Sequence, residues 1–432
     1  MATTVTYKGQ TLTTVDNQTK TLQTAGKWCE DDFTLTDVSG GGTTEPEVKD
    51  VDFIDYDGTL LYSYTADEFL QMTELPPNPT REGLIAQGWN WTLADAKTVV
   101  QNYGFHVIGQ NYTTDDGSTR VYCTNDKLTV GKEFFISLRA NEGTGVTIDW
   151  GDGTTTTTAN NTNFNVYKHS FDAIGDYVIR IIEQAGTTYD LGYNSSIRGA
   201  FYSGGSGNDD AITSLNIRKV EIGSGCRTLH RQCFSSAQNR MTEGVSIPRT
   251  VTTFGSGTSS MFINNAPSKI PAWVIPPNAE ILGQIFLSYF TKYISLPNIA
   301  VPNPNISYGQ SLRKFYAKTS ATAIGNTMIN GAYMLRKLAI EGSYTTLNAS
   351  VGRDAPRISD FYVPATVTQI NDYAFTNSWL TLHMKPTTPP TLANTRAINS
   401  VQKIIVPQGS LSAYQTATNW SNFASKMEEE SA

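Results

Sequence analysis

Along residues 127–192 the apolar positions alternate with a period of two. Phe134, Ile136 and Leu138 fall on one side of their segment, as do Val146, Ile148 and Trp150, and then Tyr177, Ile179 and Ile181. Such alternation predicts half-buried strands packed as a small β-sandwich, and Asp152-Gly153 supplies a turn after the second of them. Residues 49–123 mix strands with two helices. Each helix carries an N-terminal signature, Thr65-x-x-Glu68 before FLQM and Thr92-x-x-Asp95 before an apolar run that stops at Tyr103-Gly104. A threonine hydroxyl three residues ahead of a carboxylate answers the free amides of a first helical turn. The prolines of ELPPNPTREG keep the stretch between the helices from being helical throughout. Residues 1–38 read as a small β unit (VTYKGQTLTTV, KTLQTAGKW, FTLTDV), and the breaker-rich SGGGTTEPE reads as a linker.

From about residue 200 a longer period takes over. Short apolar triplets, often closed by proline, recur as VEIG (220–223), VSIP (245–248), WVIP (273–276), ISLP (294–297), FYAK (315–318), LAIE (338–341), FYVP (361–364), LHMK (382–385) and IIVP (404–407). Their first residues are 25, 28, 21, 21, 23, 23, 21 and 22 apart. A unit of one short strand and a turn cannot bury its own apolar face, whereas stacked copies bury a continuous core, so nine rungs of a solenoid are expected.

Composition narrows the function. Of 432 residues 39% are hydrophobic, enough for packed cores, but only 16% are charged, against roughly 25% in an average soluble chain. Thr, Ser, Asn and Gly fill the difference, as suits a β-rich, extended architecture. The 32 basic and 39 acidic residues leave a net charge of −7, which argues against a nucleic-acid binder, since that needs a basic footprint. Cys29, Cys123, Cys226 and Cys233 show no CxxC spacing and read as buried thiols, and with only four histidines in the chain nothing has the spacing of four clustered ligands, so no zinc site is expected. No apolar run is long enough to span a membrane. MATTVTYKGQTL lacks a basic segment followed by an apolar one, so no secretory signal is expected.

Four resemblances add to this reading. TIDWGDGT followed by KHSFDAIGDYVIRI resembles the polycystic-kidney-disease (PKD) type of immunoglobulin-like module, which implies a spacer or an adhesion unit with His169 in a structural role. Val363-Pro364-Ala-Thr-Val367-Thr-Gln-Ile370-x-x-Tyr373-Ala374-Phe375 resembles the repeat unit of BspA-like leucine-rich repeats, with a weaker copy from Ile247-Pro248 to Phe254. The ending IIVPQGSLSAYQTATNWSNFASKMEE resembles that family's terminal cap, which implies a final helix over the last rung; residues 266–346 show the period without the motif. Ile54-Asp55-Tyr56-Asp57-Gly58-Thr59-Leu60 is similar to the D-x-D-G-T-L signature of the haloacid-dehalogenase superfamily, whose members use the two aspartates with Mg²⁺. That chemistry needs a doubly wound sheet, a phosphate-holding lysine and an acidic pair. The one Asp-Asp pair between residues 49 and 123, Asp115-Asp116-Gly117, lies in a polar turn, so a plain Asp-Gly turn is the expected reading and a phosphatase comes last in order. The N-terminal stretch and DVDFIDYDGTLLYSYTADEF…GLIAQGWNWTLADAK resemble structural proteins of bacteriophages that infect gut bacteria.

The expected fold class is therefore mainly β and multidomain. It comprises an N-terminal β attachment unit (1–38), a linker (39–48), a small α+β domain (49–123), a PKD-like β-sandwich (124–195) and a leucine-rich-repeat solenoid with a helical cap (196–432). Asp149, Asp152 and Asn160 read as turn residues, and Ser203-Gly-Gly-Ser-Gly207 as a junction loop. No catalytic residue, metal site or cofactor is expected. Ligand contact is expected from aromatic residues of the middle solenoid, Tyr289, Tyr293, Tyr308, Tyr316, Tyr333 and Tyr344, with Phe290 beside the first; rung packing is the competing role for each. The expected function is that of a virion structural protein, a tail fibre or receptor-binding appendage. Its N-terminal unit would join other virion proteins, its solenoid would bind a host-surface glycan or protein, and the chain would form a homo-oligomer, a trimer by preference, without membrane insertion. A capsid decoration protein or head fibre, and a bacterial surface adhesin, are the alternatives.

Overall fold

The computed structural model describes, in residues 1–48, the backbone of four strands. Beyond these it describes residues 49–126, 133–184, 186–192, 199–203, 216–230, 233–234, 241–255, 269–282, 291–302, 304, 306, 309–325, 328–329 and 331–431. The expected strand FTLTDV, the linker 39–48 and residues 204–207 of the junction loop lie outside the described residues. Met1–Lys49 is one compact unit and Asp50–Ala432 the other. In the first, Thr3–Tyr7 pairs antiparallel with Gln10–Thr14, and Leu22–Thr24 with Lys27–Cys29.

The second unit is mainly β and ends in a solenoid. Residues 50–114 form a four-stranded sheet in the order Leu60–Tyr64, Val51–Ile54, His106–Thr114, Leu84–Trp89. Its single parallel pair is Val51–Ile54 with His106–Thr114, so it is not a doubly wound sheet. The two expected helices are present as Ala66–Gln71 and Leu93–Tyr103. Thr65 and Glu68 form a reciprocal capping box, the Thr92 hydroxyl accepts from the Asp95 amide, and Gly104 ends the second helix in the left-handed region at φ 75°. Both helices cover one face of the sheet, with Phe69, Ala96, Val99 and Val100 buried against Val51 and Phe53.

The sandwich has two sheets. One runs Thr155–Thr157, Val146–Asp149, Gly175–Glu183, Thr119–Asn125, and the other runs Asn165–Ser170, Glu133–Glu142, Thr188–Leu191. Phe134, Ile136, Leu138, Val146, Ile148, Trp150, Ile179 and Ile181 are all buried between them. The Asp149 and Asp152 carboxylates accept backbone N–H bonds from Gly151 and Thr154 at 2.9 and 3.0 Å, as turn anchors do. His169 stacks on Trp150 at 4.9 Å and contacts Asp152 through Nε2 at 2.6 Å.

Neither expected boundary of the sandwich is a break in the chain's architecture. The strand Thr119–Asn125, expected to belong largely to the α+β domain, lies inside the sandwich and pairs on its other edge with the first solenoid strand, Asn216–Glu221. Thr188–Leu191 likewise continues in parallel into Cys226–Leu229. Both sandwich sheets run directly into the two sheets of the solenoid, so the sandwich caps its first rung. A terminal repeat must hide its apolar face from water, and shared hydrogen-bond ladders do this without a seam.

The rungs follow the sequence period in register. Val220 pairs with Val245, Trp273 with Ile294, Phe315 with Leu338, and Phe361 with Leu382 and then Ile404, first residue of one triplet to first residue of the next. Each of these side chains is buried in one continuous core. Short strands form the opposite wall, where Phe254 pairs with Ile281, and Ile324 with Leu347, Ile370 and Leu392 in turn. The recurrent proline opens a turn: the amides of Val251, Ala279, Val367 and Ser410 donate to the carbonyls of Pro248, Pro276, Pro364 and Pro407, three residues back. The C-terminal cap is more than the expected helix. After the short helix Leu411–Thr416 the chain makes a tenth strand, Met427–Glu429, parallel to Lys403–Val406, while Tyr414 and Trp420 fill the core end.

Candidate binding surface

The outer face of the long-strand sheet is covered by the chain's own residues 50–114 over half of its rungs. Ile54 and Val107 pack on Ala272, Val274 and Tyr293. Asn90 and Trp91 reach across it, the amide of Asn90 donating to the carbonyls of Ile275 and Ser295 at 3.0 and 3.1 Å, and the indole of Trp91 to Leu296 at 2.7 Å. Gly109 lies so close that a Cβ there would sit 2.5 Å from both γ-carbons of Val274. Lys314 and Asp52 form a buried ion pair at 2.6 Å; burial lowers the Lys314 pKa while Asp52 holds it up. His106 is wedged between Trp91 and Tyr316, ring centroids 4.3 and 5.3 Å away, with no hydrogen-bond partner for either nitrogen. Burial pushes its imidazole down to a pKa of about 3.

This cover decides the fate of the expected ligand tyrosines. Tyr316 points out of its own rung, but into the Trp91, His106 and Tyr103 cluster, where its hydroxyl donates to Glu341 at 2.7 Å. Tyr293 is half-buried under the same unit. Tyr344 turns inward, fully buried, with its hydroxyl donating to the Ile340 carbonyl. These three are interior residues, not an open aromatic face, because the outward side of a strand is solvent-facing only where nothing packs on it. Tyr333 is 43% exposed. Tyr289, with Phe290 beside it, and Tyr308 lie outside the described residues.

The paired aspartates are also accounted for. The Asp55 carboxylate is fully buried and accepts from Arg81 Nε at 2.7 Å, the Tyr112 hydroxyl at 3.1 Å and the Tyr56 amide at 2.8 Å. The same guanidinium binds Asp57 at 3.0 Å. Burial raises the Asp55 pKa against the pull of Arg81. Arg81 thus bridges the two carboxylates, and the Asp57-Gly58 turn rests on Pro271. Among the described residues no group of three or more His, Cys, Asp or Glu is placed to hold a metal ion.

Apart from Tyr333, sequence reasoning passed over the aromatic residues that reach solvent. On the open end of the strand face, Tyr362 stacks on His383 at 4.4 Å and His383 meets Asp360 at 2.8 Å. On the loops that close each rung, Trp379 is 62% exposed, more than any other large hydrophobic side chain among the described residues, and Tyr373 is 36% exposed. The signal was in the repeat itself: Tyr373 directly precedes the Ala-Phe pair and Trp379 directly precedes Leu380, one position out of the apolar register.

Residues 270–381 match the BspA type leucine rich repeat region, in six copies. Over that stretch the solenoid is built of BspA-like leucine-rich repeats. The match includes rungs between 270 and 346 that show the period more clearly than the motif, and the repeat ladder continues beyond it at both ends. A leucine-rich repeat protein from Bacteroides ovatus is similar in structure over 48% of this chain and 52% of its own, at 15% identity and a TM-score of 0.33; the chain spans about half the length of that protein. Comparison with curated proteins gives no match. In the repeats, Gly331, Asp354 and Asn377 occupy one position at a spacing of 23 and all adopt positive φ, 75°, 56° and 58°. These residue types tolerate that conformation.

Proposed function

We propose that this leucine-rich-repeat protein is a surface-recognition protein carried on a bacteriophage particle, as a tail fibre or receptor-binding appendage. The observation that carries the reading is the strand pairing that joins both sandwich sheets to the first repeats, with one core running on through the solenoid. It gives a stiff support that holds many loops in fixed register, which suits adhesion to a surface rather than turnover of a small substrate. The PKD-like sandwich serves as the spacer, and the unit Met1–Lys49, whose sequence resembles gut-phage structural proteins, joins the chain to the particle. The chain assembles with copies of itself, threefold by preference, and uses neither cofactor nor catalysis. A head fibre or capsid decoration protein has the same logic at another place on the particle. The second reading, a bacterial surface adhesin, is favoured by the BspA-like repeats themselves, which commonly sit on exported proteins.

Antibody-labelled electron microscopy of purified particles separates these readings. Label on tail appendages is the expected result and label on the capsid selects the head-fibre form. Label on envelopes of uninfected bacteria, with bare particles, overturns the virion reading in favour of the adhesin.

A further inference from the structure

We propose that the loop 371–379 is a carbohydrate-binding site in which the Trp379 indole stacks on a neutral saccharide ring and Tyr373 makes a second contact. The inference rests on the reading of the chain as a surface-recognition protein and names its ligand class and its place.

Three observations converge on this loop. The first is strain. Tyr373 has φ 58°, and Ser350, the same position one rung earlier, has φ 62°, so the fold imposes a left-handed residue there. For a bulky side chain that conformation costs about 1–2 kcal/mol. Tyr373 does not recover the cost by filling the core, because it is exposed and lies over the Arg396 guanidinium at 4.7 Å and that of Arg353 at 5.8 Å. These contacts offset part of the cost and hold the ring in a fixed place at the surface, 36% exposed.

The second is preorganisation. The loop is fastened to both neighbouring rungs. Thr376 Oγ1 donates to the Arg396 carbonyl at 3.0 Å, and Ser378 Oγ to the Gly352 carbonyl. The Asn377 amide donates to Ser400 Oγ at 3.1 Å, and its side-chain Nδ2 to Asp354 at 2.7 Å. Trp379 is therefore presented to solvent on a support already ordered without a ligand, which removes much of the entropy cost of binding.

The third is charge. Arg396 pairs with Asp372 and Arg353 with Asp354, so each cation on the ridge is answered internally and an ionic ligand finds no complement. What remains is an indole at the end of a loop whose residues Asn371, Asp372, Thr376, Asn377 and Ser378 are polar. A neutral sugar fits this surface. Its C–H face carries a small positive charge that suits the electron-rich ring face, and its hydroxyls can bond to the surrounding amides and hydroxyls. The strand face does not compete: residues 50–114 cover its middle, and at its open end the rings of Tyr362 and His383 spend their faces on each other.

The test is binding of the labelled full chain to an array of neutral hexose and N-acetylhexosamine oligosaccharides, with sialylated and sulfated glycans alongside. Neutral glycans should bind, with Trp379→Ala lowering affinity at least about tenfold, Tyr373→Ala less, and Trp379→Phe retaining part of it. Raising salt about tenfold should leave the affinity nearly unchanged. Equal binding by wild type and Trp379→Ala, binding confined to acidic glycans, or an empty array each overturns the site. Adhesion of the same proteins to intact bacteria separates the two levels. Wild-type adhesion that Trp379→Ala leaves intact removes this site but keeps surface recognition, and absence of wild-type adhesion removes both.

Discussion

The rungs 272–341 and 360–406 share one core, yet their outward positions differ in kind. In the first group these positions hold Ala272, Val274, Tyr293, Ser295, Lys314, Tyr316, Lys337 and Ala339; Ala272–Val274 is buried on every residue, and Lys314 is buried against Asp52. In the second they hold Asp360, Tyr362, Thr381, His383, Lys403 and Ile405, and burial alternates strictly along each strand. A continuous apolar run marks a strand covered on both faces, and alternation marks one with a free face. The chemistry of the outward row therefore records where residues 50–114 dock.

The most severe way to break the comparison is to remove one partner of the buried pair. Lys314 and Lys403 open their strands at the same repeat position. Lys314→Ala should destabilise by about 3–5 kcal/mol in denaturant melts, because Asp52 is then left buried and unpaired, and Lys314→Met with Asp52→Leu should recover most of the loss. The next effect is pH-dependent. The His106 imidazole, at about 3 in the folded protein, titrates near 6.5 once unfolded. The unfolded chain takes up the extra proton first, so stability falls as pH drops from about 6.5 towards 3, by roughly 1.4 kcal/mol per unit. The difference between wild type and His106→Phe isolates this slope from the opposite contribution of Asp55, whose pKa is raised by burial; melts across that range measure it. Smaller again is Gly109→Ala, whose added methyl meets Val274 and should cost about 1–3 kcal/mol, partly relieved by Val274→Ala. The smallest is Lys403→Ala. Its pair with Glu428 is 45% and 52% exposed, and the loss should stay below about 0.5 kcal/mol.

Much of the fold was legible because it is local or periodic. Thr65-x-x-Glu68 and Thr92-x-x-Asp95 mark helix starts by short-range hydrogen bonding alone, and the triplets that pair do so first residue to first residue because each repeat needs the same apolar side inward. The tenth strand, Met427–Glu429, was hidden by its outward pair Glu428-Glu429, which carries no apolar signal. The domain boundaries were misplaced because Thr119–Asn125 looks the same whether it closes one sheet or opens the next. The binding surface was misread for a related reason. Alternation tells that Tyr316 leaves its own rung, but the residues that receive it, Trp91 and His106, lie more than 200 positions away in sequence, and no local pattern reports them. The D-x-D-G-T string was similarly silent about Arg81, a residue 26 positions from Asp55 that occupies the space between its carboxylates.

The docking of residues 50–114 on the repeats is most directly tested by native-state hydrogen exchange. Amides of 106–112, 272–275 and 293–296 should exchange through one shared opening whose free energy equals that of global unfolding. A separate, lower-energy opening that frees 50–114 while the rungs stay protected would contradict the account and leave the strand face available to a partner.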